Sequence, residues 1–154
     1  MNKPITGTTL LAVILLAGSA ALGQPTNVAL GVAITPLTNT IQGSPSLVTD
    51  GDFGDAWYSY QGGWYNTCSF TIDLGTQYSI QSIKIGQSQV YGYQVYSSNN
   101  GTDWTLRQQV DYGSSQYNQV QIDVNGAYQA RYLKYFAYAN WNQYVGVTEF
   151  EVYS

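Results

Sequence analysis

The 154-residue chain has no histidine, a single cysteine and little charge, with five Lys or Arg and nine Asp or Glu making up 9% of its residues. An average soluble protein carries ~25% charged residues. The absence of histidine removes the most common general base and the most common metal-binding ring. One cysteine, Cys68, excludes an internal disulfide. The few basic residues cannot build the positive surface that nucleic acid or anionic lipid requires. The longest apolar run, Leu10 to Ala17, is well short of the ~20 residues of a membrane-spanning helix. No Gly-rich phosphate loop follows a strand.

Residues 1–23 read as a secretory leader. Lys3 precedes the apolar run, and Gly18-Ser19-Ala20-Ala21 supplies small residues before Gly23-Gln24-Pro25, which places cleavage between Ala20 and Gln24. The protein is therefore expected to be secreted, with one domain over residues 24–154. Without Lys3, four basic residues face nine acidic ones, a net charge of about −5. Tyr, Asn, Gln, Ser and Gly fill the place of charge, a surface that suits neutral, hydroxyl-rich partners.

The remaining pattern is that of β structure. Cys68 to Leu74 alternates strictly, placing Cys68 on the face of Phe70, Ile72 and Leu74, so its thiol is expected to be buried and inert. Further strands are expected at Asn27 to Ala33, Gln81 to Ile85, Tyr93 to Ser97, Trp104 to Val110, Tyr117 to Val124, Arg131 to Tyr138 and Gly146 to Tyr153. Asn100-Gly101 marks a hairpin turn. Thr35 to Ser46 lacks periodicity and reads as loop, and Ser46 to Thr49 as a tight turn. No segment has a convincing period of 3.6. About eight short strands without covering helices predict an all-β, antiparallel sandwich.

Five of the nine carboxylates fall in two short segments, Asp50-Gly51-Asp52-Phe53-Gly54-Asp55 and Thr148-Glu149-Phe150-Glu151. Acids grouped in a charge-poor chain are what a hard divalent cation requires. The same segments carry a resemblance. Asn27-Val28-Ala29-Leu30-Gly31, Val48-Thr49-Asp50-Gly51-Asp52 with Trp57, Phe70-Thr71-Ile72-Asp73-Leu74-Gly75, Ile80 to Ile85, Tyr93 to Trp104, Ala130 to Lys134 and Val147 to Tyr153 follow one another in the order seen in discoidin domains. The chain thus resembles the discoidin, or coagulation-factor type C, domain, and especially the bacterial family-32 carbohydrate-binding modules.

That resemblance implies an eight-stranded jelly roll of the galactose-binding-like type with a structural calcium ion. Carried over by motif, the ligands would be the carbonyls of Leu47, Asp52 and Thr148, the carboxylates of Asp50 and Glu149, and the oxygens of Asp55. Family members often have Thr or Ser where Asp55 stands, so this site would carry an additional negative charge. The alternative is an acidic surface loop without metal, its aspartates capping local backbone. The resemblance also implies sugar binding in shallow loops at one end of the sandwich. Many galactose binders of this type use a histidine or a loop arginine there, and this chain has no obvious counterpart of either, which makes a neutral polysaccharide at least as good a candidate as galactose.

Two segments, Tyr58 to Asn66 and Tyr138 to Tyr144, mix aromatic rings with amides, the pairing that takes the C–H face and the hydroxyl rim of a sugar. The candidate ligand-binding residues are Trp64, Tyr65, Asn66, Tyr91, Asn140, Trp141 and Asn142, with Tyr60 and Tyr144 behind them. Trp57 and Trp104 are expected in the core. Catalysis is not expected, because the clustered acids are accounted for by the metal, and Asp73, Asp103, Asp111 and Asp123 sit at strand ends or turns. The function expected is non-catalytic recognition of a neutral glycan. The competing reading is an extracellular structural or adhesive protein that self-associates through the same aromatic loops. Lipid-headgroup binding would need basic and apolar spikes that are absent.

Overall fold

A computed structural model describes residues 24–60, 65–116, 120–122, 127–140 and 143–154. The leader expected at residues 1–23 lies outside the described residues. Among them the chain forms ten strands in two antiparallel sheets. They are β1 (Ile34–Pro36), β2 (Asn39–Gln42), β3 (Trp57–Tyr60), β4 (Tyr65–Ile80), β5 (Ser82–Ser88), β6 (Val90–Ser98), β7 (Thr105–Gln116), β8 (Val120–Ile122), β9 (Tyr128–Asn140) and β10 (Val145–Tyr153). The front sheet has the order β1-β4-β9-β6-β7 and the back sheet β2-β3-β10-β5-β8. The all-β sandwich is as the sequence predicts.

Alternation builds the core. Phe70 from β4, Tyr135 from β9, Phe150 from β10 and Trp57 from β3 are each fully buried between the sheets. Their ring centroids lie 5.3 Å apart for Phe70–Phe150, 5.5 Å for Phe70–Tyr135 and 6.2 Å for Trp57–Phe70. A buried tyrosine needs a partner for its hydroxyl. Tyr135 donates to the side-chain oxygen of buried Gln87 at 2.8 Å, and the Gln87 amide donates to the Tyr112 hydroxyl at 3.0 Å. Cys68 is buried as expected, and burial pushes its thiol far above the ordinary range.

Several local readings are corrected. Asn27 to Ala33 is no strand. Asn27 makes one bridge to Tyr153 and its side-chain oxygen accepts from Ala29 N (3.1 Å) and Val152 N (3.0 Å), which curls the chain into a turn. Thr35 to Ser46 is not all loop, for it contains part of β1 and all of β2. β2 is an edge strand exposed along its whole length, so it shows no apolar alternation. Ser46 to Thr49 is largely a 3₁₀ turn, Pro45–Val48, capped by the Ser44 hydroxyl. The aromatic segments are less loop-like than expected, since β3 runs to Tyr60, β4 starts at Tyr65 and β9 runs to Asn140.

Trp57 is core. Trp104 is not: it is half-buried on the outer side of the front sheet, where the Lys134 ammonium lies 4.6 Å from its ring. Replacing Tyr135 by Phe should strand the buried Gln87 oxygen and lower stability by about 1–3 kcal/mol. Urea unfolding measures this, and an unchanged midpoint would contradict the assignment.

Candidate functional site

The acidic loop follows the 3₁₀ turn and is anchored before it begins. Thr49 donates its hydroxyl to Val32 O (2.8 Å), and its carbonyl accepts from Gly31 N (2.6 Å). Inside the loop Asp50 accepts from Asp52 N (2.9 Å) and Asp52 from Gly54 N (2.7 Å), so the carboxylates set its curvature. Phe53 packs on Gly86 of β5, where any Cβ would collide with the Phe53 ring and the Thr148 hydroxyl. Lys84 covers that ring at 4.3 Å and pairs with Glu151 at 3.5 Å.

This docking brings the loop to β10. Glu149 faces Gly86 across a bulge between Val147 and Glu149, and Gly51 N donates to its Oε2 at 2.8 Å. The residue is fully buried, and its Oε1 has no hydrogen-bond partner. Burial raises the Glu149 pKa to about 7, with Asp50 and Glu151 adding to the rise and the N–H groups of Gly51 and Phe150 opposing it. A buried carboxylate with one bare oxygen beside a second acid fits a cation. Asp50 and Glu149 are thus neighbours, whereas Asp55 lines a cleft of about 430 Å³ with Leu47 and Thr148. Among the described residues no three acidic, histidine or cysteine side chains gather to hold a metal by themselves. Any ion here would depend on backbone carbonyls, of which Leu47, Asp52 and Thr148 are the candidates.

The aromatic candidates meet at the end of the front sheet. Tyr65 is 54% exposed, and Asn140, which pairs with it in register, is also exposed. Tyr65 and Tyr91 both contact the ring of Tyr138, with centroids at 5.8 and 6.0 Å. Tyr60 and Tyr144 form a separate exposed pair at 6.2 Å. Asn66 is buried instead, and its amide donates to Gln143 O at 2.6 Å, so it ties the start of β4 to the residue two positions before β10. Trp64, Trp141 and Asn142 lie outside the described residues.

Tyr138 is the residue that the candidate set left out. It stands opposite Gly92 on β6, which in turn pairs with Asp111 on β7. A Cβ at Gly92 would collide with the Tyr138 ring and hydroxyl, and that hydroxyl donates to Asp111 at 3.2 Å. The ring therefore lies across β6 and does not stand out from the sheet. An isolated glycine inside a strand pattern, Tyr91-Gly92-Tyr93, was the available signal of such a close approach.

The model of the F5/8 type C domain matches residues 33–150. The chain belongs to that family. No curated protein sequence matches this F5/8 type C domain. Among solved structures, it is similar to chitosan-binding module 1 of a chitosanase/glucanase from Paenibacillus sp. IK-5, with 24% identity over 84% of this chain and 99% of that one, TM-score 0.69. Module 2 of the same enzyme, solved with chitotriose, has 24% identity over 83% and 100%, TM-score 0.69. The family 32 carbohydrate-binding module of C. perfringens NanJ, solved with galactose, has 18% identity over 85% and 100%, TM-score 0.70. These likenesses are of fold.

The raised Glu149 pKa has a definite sign in metal-free protein. Between the usual 4.5 and about 7 the folded state binds more protons than the unfolded one, so stability falls as pH rises through that window. Glu149→Gln should flatten the fall. Denaturation midpoints across pH 4 to 8 measure it, and parallel curves for the two proteins would refute the assignment.

Proposed function

We propose that this F5/8 type C domain is a secreted, non-catalytic carbohydrate-binding module stabilised by calcium. The observation that carries the proposal is the cluster of exposed Tyr65 and Asn140 and half-buried Tyr91 around a Tyr138 ring laid across the sheet. Rings held in this way accept the C–H face of a sugar, and the adjoining amide accepts or donates to its hydroxyls. Trp64, Trp141 and Asn142 adjoin these residues in sequence and lie outside the described residues. The similar modules that bind chitosan or were solved with chitotriose or galactose support the reading, and the leader expected at residues 1–23 supports export.

Catalysis has little support. Glycoside hydrolysis takes two carboxylates across an open site. The cleft beside the Asn99–Asn100 hairpin holds one, Asp103, and the cleft under the acidic loop holds one, Asp55. Asp73 is engaged by Arg131 at 2.8 Å. Calcium would be held by Asp50 and Glu149, with Asp55 and the carbonyls of Leu47, Asp52 and Thr148, and would supply positive charge that fixes the loop on β10. A ligand-free chelator series checks this part: calcium should raise the melting temperature, and Asp50→Ala should abolish the rise. At a calcium concentration 100 times Kd the gain would be about 2.7 kcal/mol. Melting indifferent to chelator would sink it.

A glycan array tests the recognition. Binding to a neutral glycan with Kd between micromolar and millimolar, about −8 to −4 kcal/mol, is expected, and Tyr65→Ala should remove most of it. An array silent for wild type, together with concentration-dependent assembly lost on Tyr144→Ala, would instead make the exposed Tyr60–Tyr144 pair a protein contact.

A further inference from the structure

The aromatic surface does not stop at the end of the sandwich. On β9 the residues Leu133, Tyr135, Ala137 and Ala139 are buried, so Tyr132, Lys134, Phe136 and Tyr138 between them turn to the outer face of the front sheet. Their partners on β6 are Ser98, Tyr96, Gln94 and Gly92. The Phe136 ring adjoins that of Tyr138 at 6.4 Å. Beside it, Gln94 donates to Gln109 at 3.0 Å and accepts from the Tyr96 hydroxyl at 2.6 Å. The Lys134 ammonium then lies 4.6 Å from both the Tyr96 and Trp104 rings. Among the described residues no carboxylate pairs with it. From position 138 to 132 this row extends about 20 Å at ~3.4 Å per residue, long enough for several sugar rings.

We infer that the outer face of the front sheet is a track for a linear glycan, continuous with the end-loop site through Tyr138. This rests on the carbohydrate-binding reading and names its ligand class: an extended, equatorially linked polysaccharide, not a single terminal sugar. Tyr138 and Phe136 take the apolar faces of successive sugars, while Gln94, Gln109 and the Lys134 ammonium, seated on the Tyr96 and Trp104 rings, meet the hydroxyl rims. The straight row suits a ribbon-like chain, such as an equatorially 1,4-linked one, which presents successive ring faces along one line. A second copy of the protein fits less well, because the Lys134 ammonium, which pairs with no carboxylate among the described residues, would be desolvated there.

Calorimetric titration of the full chain with chito- and cello-oligosaccharides of two to six residues, and with galactose, tests the track. Affinity should climb about tenfold or more from two residues to six. Phe136→Ala should erase that gain, and Gln94→Ala should reduce it without removing a ring. Tyr65→Ala should weaken every length. Affinity independent of length, or binding of galactose with both series silent, overturns the track and leaves the end-loop reading standing. No binding to any probe overturns both. If Phe136→Ala dissociates an oligomer and leaves the length dependence intact, the face belongs to a second copy and the inference falls.

Discussion

Strand β9 carries the structure because its two faces do different work. It lies third of five in the front sheet, paired with β4 along one edge and β6 along the other. Its inward residues include Tyr135, packed on Phe70 and Phe150 and hydrogen-bonded to Gln87. Its outward residues are rings and an ammonium. The pleat that drives one set into the core obliges the other to face solvent. A slip of one residue would exchange the two sets, so the buried row fixes the register of the exposed one.

The acidic loop is positioned by a parallel logic on the back sheet. Phe53 sits on Gly86, Gly51 donates to Glu149, and the bulge in β10 offers that carboxylate to the loop. Glycine makes both arrangements possible by removing a side chain where a ring must lie, Gly86 under Phe53 and Gly92 under Tyr138. Gly146 under Tyr58 is a third case, with the Tyr58 hydroxyl reaching Ser88 at 3.5 Å. Rings held against backbone lose less freedom on binding than rings free to turn, which favours rigid recognition surfaces.

Much of this was legible in the sequence, for identifiable reasons. The alternation from Cys68 to Leu74 reports a half-buried strand directly, and grouped acids in a charge-poor chain point to the loop and β10 that meet in space. β2 was illegible because neither of its faces is apolar. Trp104 was misread because an indole next to a hairpin looks like core until Lys134, thirty residues away, is seen against its ring. Asn66 looked like a loop amide because its partner, the Gln143 carbonyl, is set only by the pairing of β4 with β9. Tyr138 escaped notice because an outward tyrosine on a strand is ordinary, and only its neighbour Gly92 marks it as recumbent.

The central claim is that the outward row of β9 touches the ligand. Heteronuclear NMR of the intact protein with isotope-labelled Tyr and Phe, titrated with a β-linked oligosaccharide, reads this directly. The account predicts that the ring resonances of Tyr138 and Phe136 shift together and saturate with the same affinity, while that of buried Tyr135 stays in place. Shifts confined to residues away from β9, with Tyr138 unmoved at saturation, would contradict it.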